Sequence, residues 1–365
     1  MISRVTGVAW LALLVWALWW TVRLERADWL FVKGDAASIR QAIRLAPGNA
    51  EYASALAQAE PDGAVEILHE AEAWNPLDGG LRLELGLAEE QRGDPIGAER
   101  DVREAVRLDR GFGPRAALAD FYFQRHDAEK FWPAVKAALA VSYGDVWAQF
   151  RECWALSSDA ATILARAIPD RPGVTRLYLD FLLSEGRLDA ATPVAERVLA
   201  SGDKGAAPSL VNYCHRMLEK WRGAEALEVW QTLVERKWVA ESGHGFDWRV
   251  SAGQGIRVER VGRGWRLNFS GQQAESSEIL SRYVPLVPLR RYVLTASGIR
   301  SGSGLRCSVV LADGRDLLGG GSMAFQTPEN ADLGRLVLAY RRVPGTTRFE
   351  GSVDVEELSL QVDER

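Results

Sequence analysis

The chain has 365 residues, 47% of them hydrophobic and 25% charged, with a formal net charge of −5. That length holds two domains with sizeable cores, and the composition is that of a globular protein. The acidic balance leaves no basic field of the kind nucleic acid requires, and the Arg-heavy usage, with only six Lys among 44 basic residues, reads as codon bias.

Val5 to Val22 is an uninterrupted uncharged run between Arg4 and Arg23. Eighteen residues at a rise of ~1.5 Å reach about 27 Å, enough to cross a hydrocarbon core. Trp19 and Trp20 fall at the distal interface, where indole rings are favoured. No small-x-small cleavage site follows the run directly, so an uncleaved signal anchor is favoured over a signal peptide. Arg23, Arg26 and Lys33 after the run make the charge balance ambiguous for orientation. A tail of four residues before the run nevertheless fits a body outside the cytoplasm. Residues 1–28 are therefore assigned to the anchor and its flanks.

From about Ala36 to Trp238 apolar residues recur at helical spacing in Ala-rich, Gly-poor segments. The clearest unit follows Pro76: Leu85-Gly86 on a first helix, Gly93-Asp94-Pro95 at a turn, then Ala98, Val102 and Ala105 on a second. Pro76 and Arg110 are 34 residues apart, and Gly93 and Asp127 mark turns at the same interval. This period resembles tetratricopeptide repeats, most closely over Leu81 to Arg110, although the family's aromatic positions are largely missing there. Ala42 to Asn49, Ala64 to Pro76, Glu185 to Val198 and Trp221 to Val234 resemble further units, while Tyr143 to Pro172 fits poorly. The resemblance implies an α-solenoid over 29–242 whose surface receives a protein partner. Trp74, Trp132, Trp147, Trp154, Trp221, Trp230 and Trp238 are expected between helices, and Glu84, Glu89 and Glu90 on a solvated face.

Near Gly243 the period changes, and residues 243–365 alternate apolar and polar side chains between Gly clusters. Strands are expected at 255–261, 265–270, 280–284, 291–297, 305–311, 335–340 and 351–361. Trp265, Leu267 and Phe269 share a core face, as do Tyr292, Leu294 and Ala296. The expectation is an antiparallel, jelly-roll-like β-sandwich. Phe246-Asp247-Trp248-Arg249, Trp265 to Ser270, Val287 to Tyr292 and Gly351 to Val355 resemble carbohydrate-binding-module-like sandwiches. The whole layout resembles bacterial proteins associated with exopolysaccharide or O-antigen assembly. That resemblance implies a glycan as ligand of the sandwich, with Trp248, Arg249 and Tyr283 as the binding residues to test. The same Phe246 to Arg249 segment also reads as a structural lock between the last repeat and the β module.

No catalytic residue, cofactor or metal ligand is assigned. His69, His126, His215 and His244 have no ligand partner at i+4, and neither a GxSxG elbow nor a Walker A loop occurs. Glu356 and Glu357 fall on opposite sheet faces, and Gly319-Gly320-Gly321-Ser322 reads as a flexible turn. Cys153, Cys214 and Cys307 read as small buried hydrophobes, with one disulfide open to an exported body. The expected function is a non-catalytic scaffold in the bacterial inner membrane, single-pass through residues 5–22, with its body periplasmic. A protein partner would sit on the repeats, in envelope polysaccharide assembly; the alternative is a glycan-binding or glycan-active protein with its site in the sandwich.

Overall fold

The apolar N-terminal run does not end at its flanking charges but continues as one helix, α1 (Ile2–Val32). No Gly or Pro interrupts residues 8–33, so nothing breaks the hydrogen-bond ladder. Its last turns are part of the repeat region: Ala27 and Leu30 lie in one apolar cluster with Ile39, Ala42, Tyr52 and Leu56. Tyr52 donates to the Asp28 carboxylate, and Arg23 Nε donates to the carbonyl of Leu45 at 2.7 Å. The computed structural model describes residues 2–240, 245–319 and 323–363, with side chains from Trp10 onward. The switch residue Gly243, His244 and the turn residues 320–322 lie outside them. Among the described residues no helix is long and apolar enough to cross a membrane.

The chain divides into two compact units, Met1–Tyr178 and Leu179–Arg365. The first continues with α2 (Ala36–Leu45), α3 (Ala50–Ala59), α4 (Ala64–Trp74), α5 (Gly79–Arg92), α6 (Pro95–Leu108), α7 (Phe112–Gln124), α8 (Ala128–Val141), α9 (Trp147–Leu156), α10 (Ala160–Arg166) and the start of α11 (Pro172–Ser184). The α5–α6 hairpin forms for the local reasons read from sequence. Asp78 caps α5, Gly93 ends it at φ +86°, and Asp94 accepts from the N–H groups of Ile96 and Gly97 ahead of Pro95-led α6. The helices then approach so closely that a Cβ at Gly86 would stand 2.7 Å from a Val102 methyl, with Ala98 and Ala105 fully buried beside it. Asp127 caps α8 one period later. The poorly fitting segment folds as the short pair α9 and α10, the latter of only seven residues.

The second unit takes up α12 (Leu188–Ala200), α13 (Ala207–Glu219) and α14 (Gly223–Glu235), followed by strands. These are β1 (Arg249–Val250), β2 (Ile256–Val261), β3 (Gly264–Ser270), β4 (Ser276–Pro285), β5 (Arg291–Ser297), β6 (Leu305–Leu311), β7 (Asp316–Gly319), β8 (Met323–Gln326), β9 (Leu333–Arg341), β10 (Glu350–Val355) and β11 (Glu357–Val362). All pair antiparallel, in a five-stranded sheet of order β1-β4-β9-β6-β7 and two three-stranded sheets, β10-β3-β2 and β11-β5-β8. One apolar cluster takes side chains from all three, among them Leu267, Leu280, Leu294, Val309, Leu338, Val355 and Leu360.

Four expectations are corrected. The single strand over 351–361 is two strands, because the chain leaves one sheet and enters another at Glu356, whose N–H donates to Ser297. Glycines make room for this crossing: a Cβ at Gly298, where φ is +80°, would lie 2.1 Å from the Asp354 carbonyl. Trp74 is 64% exposed, because it is the last residue of α4 and points past its neighbours, while Trp132 and Trp230 are buried and Trp147, Trp154, Trp221 and Trp238 half-buried. Glu89 is buried rather than solvated, and Glu84 and Glu90 are half-buried. The three cysteines are free and buried, with no disulfide among them. Burial pushes each thiol up, that of Cys307 to about 12, which keeps them protonated.

Candidate functional site

Two arrangements of polar side chains stand out, one in each unit. In the first unit, α5, α7 and α9 are the leading helices of successive hairpins and touch in turn. They carry Glu90, Asp120 and Glu152. Glu90 is satisfied by Arg125, 2.6 Å away. Asp120 has only the amide of Gln124, and burial together with the Glu90 charge pushes its carboxyl above the usual range. Glu152 Oε2 is shut off from solvent with no hydrogen-bond partner among the described residues. Burial first, and the Asp120 charge second, push Glu152 up to about 7. Two carboxylates that repel each other, with no cation between them, favour a positive group from outside.

That surplus has a measurable cost. The folded-state value of Glu152 lies above its unfolded one, so folding takes up a proton. This contribution is intact below the ordinary glutamate range and is lost as pH rises to about 7. After allowance for solvent screening it amounts to about 1–2 kcal/mol. Glu152→Gln is expected to raise the melting temperature by a few degrees at pH 8 and to change it little at pH 4.5. Equal melting temperatures for variant and wild type at both pH values would refute the assignment.

A neighbouring network is fully compensated instead. Asp101, 1% exposed on α6, accepts from Arg82 Nη1 at 2.8 Å and Arg100 Nη2 at 2.7 Å. Arg82 also reaches Glu72 on α4, which ties three helices together. Burial pushes the Asp101 carboxyl up, but its bonds to Arg100 and Glu89 and the Arg82 charge outweigh this and hold it low. Glu89 is driven the other way by burial and by Asp101, so the pair shares a proton.

In the second unit, the residues singled out from the sequence divide between two clusters. Arg249 and Tyr283 come together: the guanidinium lies 5.9 Å from the phenol ring centroid and 3.1 Å from Glu219 of α13. Tyr283 on β4 is 7% exposed, with Trp221 edge-on to it at 5.8 Å. Burial holds its hydroxyl up. Trp248 lies apart from them, edge-on to Trp265 at 6.1 Å and under the guanidinium of Arg282 at 5.6 Å. Arg282 is held below its ordinary value by burial and by Arg260.

Sequence reasoning missed the contacts that surround these residues. Phe246, 1% exposed, packs on Trp230 of α14 at 5.5 Å, and its carbonyl accepts from Arg282 Nε at 2.7 Å. His215 of α13 meets Asp247 at 3.0 Å. Gly223 opens α14 against Leu333 of β9, whose side chain would lie 3.2 Å from any Cβ there. The only signal in the sequence was the clustering of aromatic and charged residues in 246–249. Among the described residues no group of three or more His, Cys, Asp or Glu could hold a metal ion.

No protein-family model matches the chain, and no curated protein matches it significantly. Among solved structures it is similar to YrrB, a TPR protein with an unusual peptide-binding site, at 15% identity over 55% of this chain and 93% of that one, with a TM-score of 0.28. It is similar to PilF of Pseudomonas aeruginosa at 15% identity over 60% and 91%, with a TM-score of 0.29. A third, MamA, shares 16% identity over 49% and 84%, with a TM-score of 0.22. Scores this low leave the functional reading to the chain's own geometry.

Proposed function

We propose that the chain is a non-catalytic scaffold, tethered to a bacterial inner membrane through residues 5–22, whose helical repeats hold a protein partner. The observation that carries this reading is the single helix α1, which leads from an apolar run directly into the core of the first hairpin. The run begins at Val5, ahead of the first described side chain, and exposes Trp10, Leu11, Leu14, Trp16, Leu18 and Trp19 by 54% or more. A stretch that apolar is at home in hydrocarbon.

The uncompensated Asp120–Glu152 pair supports a partner segment that carries Lys or Arg. In the second unit we read Phe246, Asp247, Arg249 and Tyr283 as the lock that fastens the last hairpin to the β module. The three sheets are read as a sandwich, a periplasmic body as its setting, and a glycan or further subunit of a polysaccharide assembly system as its contact; the resemblance of layout supports these parts.

The test is a full-length fusion at Arg365 to a reporter active only outside the cytoplasm, with membranes washed in alkaline carbonate. We expect an active reporter that stays in the pellet. A stable but inactive fusion overturns the location, and release by carbonate overturns the tether. Partner capture from the same membranes should fall roughly tenfold when Asp120 and Glu152 become Asn and Gln, as expected for loss of one well-formed charge contact.

A further inference from the structure

The face of α1 that the repeats do not use carries a regular seam. Arg23, Ala27, Leu30 and Phe31 point into the first hairpin. The opposite face exposes Leu11, Val15, Leu18, Val22, Trp29 and Val32, each by 56% or more. With Glu25 between them, the spacing is 4, 3, 4, 3, 4, 3 without a break. A 3–4 alternation is the pattern by which one helix packs along another. Within lipid such a face needs no partner, but Trp29 and Val32 lie beyond the apolar run, where exposed bulk of this kind does.

We propose that α1 pairs in parallel with the α1 of a second copy of this chain, through the seam from Leu11 to Val32. The proposal rests on the tether argued above, which supplies the register: two chains anchored by the same run sit at the same depth, so their seams face level. Three features of the page select a second copy over another occupant. Val15 and Val22 fall at the a positions of the heptads, and Leu11 and Leu18 at the d positions, the combination that favours two parallel strands. In that register the flanking g and e positions hold Asp28 and Lys33, five residues apart, so each helix sets an anion opposite its partner's cation. The b, c and f positions are the ones already spent on the first hairpin, so pairing costs the fold no contact.

The seam also departs from an idealised one in two places. Glu25 puts a carboxylate at a d position with Arg26 next to it, which penalises any shifted register. Trp29 is wide for an a position and spreads the helices where they leave the lipid.

The experiment is disulfide trapping of full-length chain in its own membranes. The native thiols are buried, so wild type serves as the cysteine control. Val22→Cys, Trp29→Cys and Val32→Cys should each shift most of the chain to a dimer under mild oxidation, at least fivefold more than Leu24→Cys, which lies off the seam. Equal trapping at Leu24, no trapping at any seam position in carbonate-resistant chain, or an adduct of any mass other than two copies overturns the proposal. If carbonate releases the chain, the tether reading falls by itself, and the same trapping ratios decide the pairing.

Discussion

Asp101→Ala is expected to destabilise the first unit by about 3–5 kcal/mol, the largest effect of any single charge in the molecule. The carboxylate is 1% exposed and takes one guanidinium from each of Arg82 and Arg100. Its removal leaves Arg82 with only Glu72 as counter-charge, and Glu89 without the neighbour whose proton it shares. Urea unfolding of the full chain measures the loss. The cost comes from stranded charge, not from any great net gain of the ion pairs themselves. Replacing Glu89, Asp101 and Arg82 together with apolar residues of like volume should therefore recover most of it. A single variant as stable as wild type would show that the network is solvated.

Phe246→Ala is expected to cost about 3–5 kcal/mol, the range for an emptied aromatic site in a core. The ring fills the space beside Trp230, and the backbone of the same residue donates to Tyr283 O at 3.0 Å and accepts from Arg282. One residue thus holds α14 and β4 at once, and its loss should show in both. Hydrogen exchange on the full chain is expected to quicken in α14 and β4 together. Faster exchange in β4 with α14 unchanged would mean that the two are held by other contacts, and the lock reading would go.

Much of this architecture could be read from residues next to one another in the chain. Gly93-Asp94-Pro95 is a helix stop, a cap and a helix start, and Gly86, Ala98 and Ala105 announce two helices in close approach. Alternation in Trp265-Leu267-Phe269 and Tyr292-Leu294-Ala296 is enough to place β3 and β5. The strands β1, β7 and β8 span two to four residues, too few for a period to show. The break at Glu356 escaped because alternation runs through it unchanged, and only the close passes at Gly298 and Gly264 reveal the change of sheet.

The polar clusters were less legible, for a different reason. Periodicity tells which side chains share a face, not what covers that face. Glu89 looked solvated because Arg82 and Arg100, which help compensate it and Asp101, come from other turns and another helix. Asp120 and Glu152 belong to different hairpins, one of them degenerate, so no motif could pair them. Tyr283 was rightly placed on a strand, yet the turn at Trp221, held at φ +59°, lays an indole against it.

The unbroken ladder of α1 has a mechanical consequence. A tether of Gly and Ser would let whatever the repeats hold swing freely and would carry only tension. A stiff rod clamped by Arg23, Asp28 and Ala27 carries bending and twist as well. A load on the first hairpin then becomes a tilt of the rod's far end, and any rotation of that end turns the hairpin through the same angle.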